Sequence, residues 1–404
     1  MQRSNNKTVR NVGALFIVAA FLYFFYTVFA HSIYLFERFN PIQAEKIYSQ
    51  SQWQQSQNVA PDKILDEWAV KNEYTGWKNY MDETKSKQQI QIQKEKILKD
   101  IQDKGVSDSF LYSYVGYKYV NGANPSMLNP EHPPFAKYLI GQSIELFGNE
   151  HAIGIVVALF TLALVGIVGF QIHNSIFYSG LSVFLVSIFS LFTDQIIHGP
   201  QLELYQLFFF LLLTHFILMG LKKKNLMFYV GAGISFGLLL STKTLLPHLF
   251  LFSAWLVFLL KNRWKEILII FSVGAIVFCL TYFSFFMQGG TIRSFLGLQK
   301  YIVVFYGNAH IPLLEFAGNY LRLIFTGSWK FWDMARSISF YSEWNLLWPI
   351  LYLLGMYGLK RNWIKHKNSH LLISFIILYN LFVFIVPIFP RYLLLLYVPL
   401  IILI

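Results

Sequence analysis

Apolar runs of about 20 residues recur along this chain, and they constrain its fold more than any other feature. Inside a bilayer no water is available for backbone N–H and C=O groups, so a run of this length is satisfied as a helix. Ten such spans can be drawn, near residues 12–32, 152–172, 176–193, 203–220, 226–242, 245–260, 267–286, 345–359, 370–388 and 392–404. With 55% hydrophobic and 13% charged residues, the 404-residue chain falls outside the composition of ordinary soluble domains. The first run, Val12 to Ala30, follows Arg3, Lys7 and Arg10. It is long, aromatic and without an evident small-residue cleavage site, which fits a retained anchor better than a removed leader.

The formal charge of +12 points to topology rather than to nucleic acid, because the cations cluster between apolar runs. Lys222, Lys223 and Lys224 follow one span, Lys261, Arg263 and Lys265 another, and Lys360, Arg361, Lys365 and Lys367 a third. With the N-terminus in the cytoplasm, all three clusters fall inside, as the positive-inside rule requires. The opposite, extracytoplasmic face then receives 33–151, 194–202, the turn around Lys243, 287–344 and the turn at Arg391. The lone Cys279 excludes an internal disulfide framework and a cysteine-based zinc site. The expected organisation is an N-terminal anchor (1–40), an extracytoplasmic polar and helical insertion (41–107), a first outer loop (108–151), a membrane bundle (152–286), an outer interfacial segment (287–344) and C-terminal spans (345–404). That last segment ends within an apolar run and reads as truncated.

The chemistry-bearing residues gather on the outer face. In "NPEHPPFAKYLIG" Pro133 and Pro134 stiffen the chain, and Pro133 biases His132 towards an extended conformation. A helix can begin after Pro134, which places Lys137 near its start at the membrane surface. One explanation is a plain chain turn with a snorkelling lysine; the other is a place to hold an anionic head group. Lys243 and Arg391 sit at the ends of apolar spans on the face where cations are scarce, which makes them binding candidates. Asp108 opens the stretch that leads to the elbow, Glu131 lies within the elbow and Glu203 stands at the outer end of an apolar span. Asp194 and His198, on the outer side near Glu203, could form a divalent-metal site, but two or three loosely spaced ligands are weak evidence, so no metal or other cofactor is assigned. Asp333, Arg336 and Glu343 read as solvating residues.

These residues occur in an order that resembles a known family. Asp108, the tyrosine-rich "YSYVGYKYV" and the His132-Pro133-Pro134 elbow with Lys137 look like the first outer loop of the protein O-mannosyltransferase family and its bacterial relatives, including the aminoarabinose transferases of lipid A. The resemblance continues through "GPQLELYQLFFFLL", "AGISFGLLLSTK", "GLQKYIVVFY", "YSEWNLLWPI" and "PRYLLLLYVPL", covering about residues 105 to 404. It implies an all-α polytopic membrane protein, a GT-C-like helical bundle with interfacial helices on the extracytoplasmic face. It further implies a glycosyltransferase using a polyprenyl-phosphate sugar donor. By this match Asp108 is the catalytic base and Glu203 a second acid of the site. Lys137, Lys243, Arg391 and His132 would meet the donor phosphate, and Pro133 and Pro134 would form the structural elbow.

Three departures qualify the resemblance. Ser109 follows Asp108 where the family carries a second acid, the segment before Asp108 is long, and C-terminal spans are lacking. The expected reaction moves a mannose-like hexose, with inversion, to an extracytoplasmic protein hydroxyl. The same chemistry on a lipid or envelope-glycan acceptor is the alternative, and a polytopic transporter is the alternative of another class. A transporter suits the sequence less, since neither internal repeats nor paired broken helices are evident.

Overall fold

The computed structural model describes residues 2–49, 51, 106–243, 245–307, 313–331 and 337–404. The chain begins with α1 (Gln2–Ala30), α2 (Ser32–Leu35) and α3 (Pro41–Ser49), and resumes with α4 (Asp108–Val120) and α5 (Phe135–Phe147). Then come α6 (Ala152–His173), α7 (Ile176–Ile188), α8 (Ser190–Ile197), α9 (Leu202–Lys223) and α10 (Leu226–Leu240). They are followed by α11 (Leu245–Leu260), α12 (Trp264–Thr281), α13 (Phe283–Met287), α14 (Ile292–Gly307) and α15 (Asn319–Thr326). The last helices are α16 (Leu347–Lys365), α17 (His370–Ile385) and α18 (Leu394–Ile402), the last preceded by a 3-10 turn at Pro390–Leu393.

Each of the ten expected spans meets a helix. Among the described residues five helices are long and apolar enough to cross a membrane: Thr8–Ala30, Ala152–His173, Leu202–Lys223, Trp264–Thr281 and Lys367–Ile385. A sixth span is formed if α7 and α8 count together, although they meet at 55°. The bend lies at Phe189, whose extended backbone (φ −71°, ψ 118°) interrupts the helical ladder. Leu226–Leu240, Pro247–Leu260 and Pro390–Ile402 are shorter apolar helices. The chain is thus a multi-pass protein, and its described residues are almost wholly helical. One addition to the all-α expectation is a two-stranded antiparallel hairpin, β1 (Ser328–Lys330) with β2 (Ile338–Phe340), pairing Ser328 with Phe340.

The fold divides into two compact units. One comprises Met1–Glu37, His151–Leu280 and His310–Ile404 and contains the candidate spans; the other comprises Arg38–Glu150 and Thr281–Ala309. In the spanning unit the anchor is built into the bundle. A Cβ on Gly13 would meet the backbone of Ile176 and Phe177, and one on Gly180 the backbone of Gly13. Such approach is open only to glycine, and Phe16 fills the neighbouring space against Phe177 and Phe184 at 5.9 and 5.4 Å.

The second unit is built on α3, α4 and α5. Tyr48 stacks on Tyr114 at 4.2 Å, and Glu45 accepts from Tyr114 Oη at 3.0 Å while pairing with Lys118 at 2.5 Å. Its α14, within the expected outer interfacial segment, is two-sided: Phe295, Leu298 and Ile302 are buried, and Ile292 and Leu296 exposed. Most of the expected 41–107 insertion, together with Asp333 and Arg336, lies outside the described residues.

Candidate functional site

Asp108 owes its position to a helix start. Ser107 is extended (φ −66°, ψ 152°) and its hydroxyl accepts from Phe110 N at 3.2 Å, so α4 is capped immediately before Asp108. A carboxylate in that first turn also suits the positive end of the helix. Asp108 is half-buried.

The elbow is brought to the same end of α4 by an uncommon packing. A Cβ on Gly116 would run into the backbone of Lys137 and Gly141, and one on Gly141 into Gly116. The contacts climb in register: Tyr112 lies by His132 at 6.0 Å between ring centres, Tyr119 by Tyr138 at 5.3 Å, and Asn121 donates to Glu145 Oε1 at 2.7 Å. Thus α4 and α5 run side by side in the same direction. The 121–134 connection must therefore return along the pair, and both helix starts fall at one end.

Two buried side chains hold that returning segment. Tyr119 Oη donates to the carbonyl oxygens of Leu128 and, at 3.3 Å, of Pro125. Lys137 is fully buried, and its ammonium donates to Asn129 O at 2.7 Å, Asn129 Oδ1 at 2.9 Å and His132 O at 2.8 Å. Asn129 takes the left-handed conformation (φ 48°), tolerated by asparagine better than by most residues, and its amide donates to Glu131 Oε1. Pro133 and Pro134 are buried, and Pro134 ends the elbow as the residue before α5.

The sequence places Lys137 at the membrane surface, whereas the structure puts it beneath the elbow with its three hydrogens directed to elbow oxygens. His132 turns its ring towards Tyr112. Glu131 is buried within reach of both Lys137 and Asp108. Burial pushes its carboxyl up to about 7 against the pull of the Lys137 charge, and burial likewise pushes Lys137 down to about 7.

In the spanning unit Glu203, Lys243 and Arg391 converge. Glu203 stands in the first turn of α9, Lys243 just after α10, and Arg391 in the 3-10 turn before α18. Glu203 Oε1 lies 2.7 Å from Lys243 Nζ and 3.2 Å from Arg391 Nε. The carboxylate side chain is 2% exposed and the two cations 17% and 18%. Tyr392 lies under the Lys243 ammonium at 4.3 Å, and Phe389 under the Arg391 guanidinium at 4.9 Å. Burial works against the Lys243 charge, but the Glu203 carboxylate outweighs it and holds this ammonium above its ordinary range. The result is a pair of half-buried cations that share one carboxylate oxygen at one end of the bundle.

Asp194 and His198 bond each other, Oδ1 to Nδ1, at 2.7 Å. Among the described residues no group of three or more metal-ligating side chains is assembled. Glu343 is exposed. Asn129, Tyr112, Tyr119 and Tyr392 lie within stretches that stand out in the sequence, but the sequence assigns none of them a role of its own. The tyrosines acquire their roles through packing.

No family model matches the sequence, and no curated protein matches it. Among solved structures, ArnT from Cupriavidus metallidurans in the apo state aligns with a TM-score of 0.49 at 15% identity, over 74% of this chain and 54% of ArnT. The same protein bound to undecaprenyl phosphate aligns with a TM-score of 0.46 at 14% identity, over 72% and 53%. The chain spans about half the length of these structures. Likeness at this level says nothing of chemistry.

Proposed function

We propose that this chain is an integral-membrane glycosyltransferase that moves a sugar, a mannose-like hexose, from a polyprenyl-phosphate donor to an extracytoplasmic protein hydroxyl. The observation that carries this proposal is the cluster of Lys243 and Arg391 around Glu203. Two cations stand side by side, each partly exposed, at the end of an apolar bundle. A phosphate carried on a lipid tail matches that combination of charge and surroundings. Arginine offers a phosphate parallel hydrogen bonds, and lysine a point charge.

In the proposed reaction Asp108 takes the proton as the acceptor oxygen attacks the anomeric carbon. The bond from that carbon to the phosphate oxygen breaks, and the phosphate leaves with the electron pair. Attack opposite the leaving phosphate inverts the carbon. Lys243 and Arg391 stabilise the charge that grows on the phosphate, and Asp108 supplies general base catalysis. The 129–134 elbow, fastened by Lys137, positions His132 and Glu131 near the start of α4. Phosphate recognition thus falls to Lys243 and Arg391, while Lys137 acts on elbow geometry.

The test is transfer from labelled polyprenyl-phosphate sugars in proteoliposomes containing the protein and hydroxyl-bearing peptide or lipid acceptors. Product with the wild type and none with Asp108→Asn supports the proposal. Solute counterflow without any transfer product would instead identify a transporter.

A further inference from the structure

The first turn of α9 carries polar atoms that the bundle leaves without a protein partner. Glu203 Oε1 is occupied by the two cations, but Oε2 is buried and has no hydrogen-bond partner among the described residues. Gln206, 1% exposed, presents a buried Nε2 in the same condition. Residues three apart on a helix lie about 60° apart around its axis, so the two side chains share a face. Buried polar atoms are almost always bonded, and an acceptor and a donor left over together on the face that holds a cation cluster point to a ligand with hydroxyl groups.

Gln201 Oε1 and Tyr205 Oη are also buried without partners among the described residues. They project across the helix from Glu203, however, and the Tyr205 hydroxyl lies towards Gly154 of α6. They therefore serve as a comparison for the Glu203–Gln206 face.

We propose that Glu203 and Gln206 form the sugar subsite beside the phosphate-binding cations: Glu203 Oε2 accepts from one sugar hydroxyl and Gln206 Nε2 donates to another. This rests on the phosphate assignment of Lys243 and Arg391 above. It gives Glu203 two tasks at separate oxygens, to hold the cations with Oε1 and to recognise the sugar with Oε2. A hydroxyl-bearing ligand is then distinguished from a bare phosphate lipid because only the former satisfies both atoms.

The experiment measures binding by the full chain in nanodiscs of undecaprenyl phosphate and of undecaprenyl phosphate carrying mannose or glucose. The wild type should bind a sugar-bearing lipid at least about fivefold more tightly than the bare one, the scale of a hydrogen bond. Gln206→Leu should abolish that preference and leave affinity for undecaprenyl phosphate unchanged. Gln206→Met, close in size and uncharged but lacking the amide donor, should do the same and carries the test if the leucine variant does not fold. Tyr205→Phe should keep the full preference. The subsite is overturned if the wild type binds bare and sugar-bearing lipids alike, if the Gln206 variants retain the preference, or if they weaken both lipids equally. Failure of the wild type to bind any phosphate lipid would overturn the phosphate assignment itself, and the subsite with it.

Discussion

The Lys137 ammonium donates to the His132 carbonyl oxygen at 2.8 Å, folding the side chain back beneath the two prolines. Two further bonds to Asn129 close the elbow from the other side. A lysine that appears in the sequence as a surface cation is therefore an internal tie. The tie fixes Glu131 and His132 at the end of α4 where Asp108 stands.

Lys137→Met should be strongly destabilising. It removes a donor shared by three acceptors and leaves the Asn129 and His132 oxygens and the Glu131 carboxylate without compensation. Loss of one partner from a buried polar or charged network costs about 3 kcal/mol or more. Thermal unfolding in detergent should show a clear fall in Tm. A variant that melts like the wild type would mean that the elbow holds without the tie.

The same pair predicts an unusual pH dependence. The Glu131 carboxyl is raised from 4.5 to about 7, so across that interval the folded chain keeps a proton that the unfolded chain has lost, and stability falls as pH rises. The Lys137 ammonium is lowered from 10.5 to about 7, so from about 7 upward the unfolded chain holds the extra proton, and stability rises with pH. Glu131 and Lys137 titrate as one coupled pair, so the two directions place a minimum between the ordinary carboxylate and lysine ranges. Melting temperatures across the pH range should show a dip in that interval, and Glu131→Gln should remove its acidic limb. A monotonic profile in the wild type would contradict the assignment.

For the cation cluster, Arg391→Lys retains the charge but loses the planar fork. Donor binding should weaken about tenfold, because a single ammonium does not reproduce paired bonds to phosphate. Glu203→Gln should instead lower Tm, since it removes the carboxylate from two half-buried cations, a change of about 3 kcal/mol or more. Equilibrium binding of undecaprenyl phosphate and thermal melts separate the two effects. Unchanged affinity in Arg391→Lys would show that charge alone suffices there.

The helices were legible because hydropathy is local: each expected run meets a helix, although among the described residues five of them, or six with the bent pair, are long and apolar enough to cross a membrane. The bend at Phe189 was not, since "SIFSLF" contains neither proline nor glycine to mark it. The prolines of the elbow were equally plain, but the direction of Lys137 depends on α4 and α5 lying parallel. That packing is set by Gly116 and Gly141, two glycines with no periodic signal to link them. Charge bias singled out Lys243 and Arg391 as cations on the face where few are found, yet their sharing of Glu203 Oε1 is a tertiary fact. Gln206 passed unnoticed within an apolar run because its significance lies in what its amide fails to meet.

Asp108→Asn offers the sharpest test of the proposed chemistry. The substitution preserves size and leaves the Ser107 cap of α4 in place, but the amide cannot take the acceptor proton. Turnover should fall by about 10² to 10⁴, the usual share of a general base, with donor affinity and Tm near those of the wild type. Ser107→Ala is the companion variant. It loses the bond to Phe110 N and about 1 kcal/mol of stability, while the carboxylate remains available and turnover should fall far less. If the two variants lose activity in proportion to their lost stability, Asp108 acts through the helix start; a large turnover loss confined to Asp108→Asn identifies it as the base.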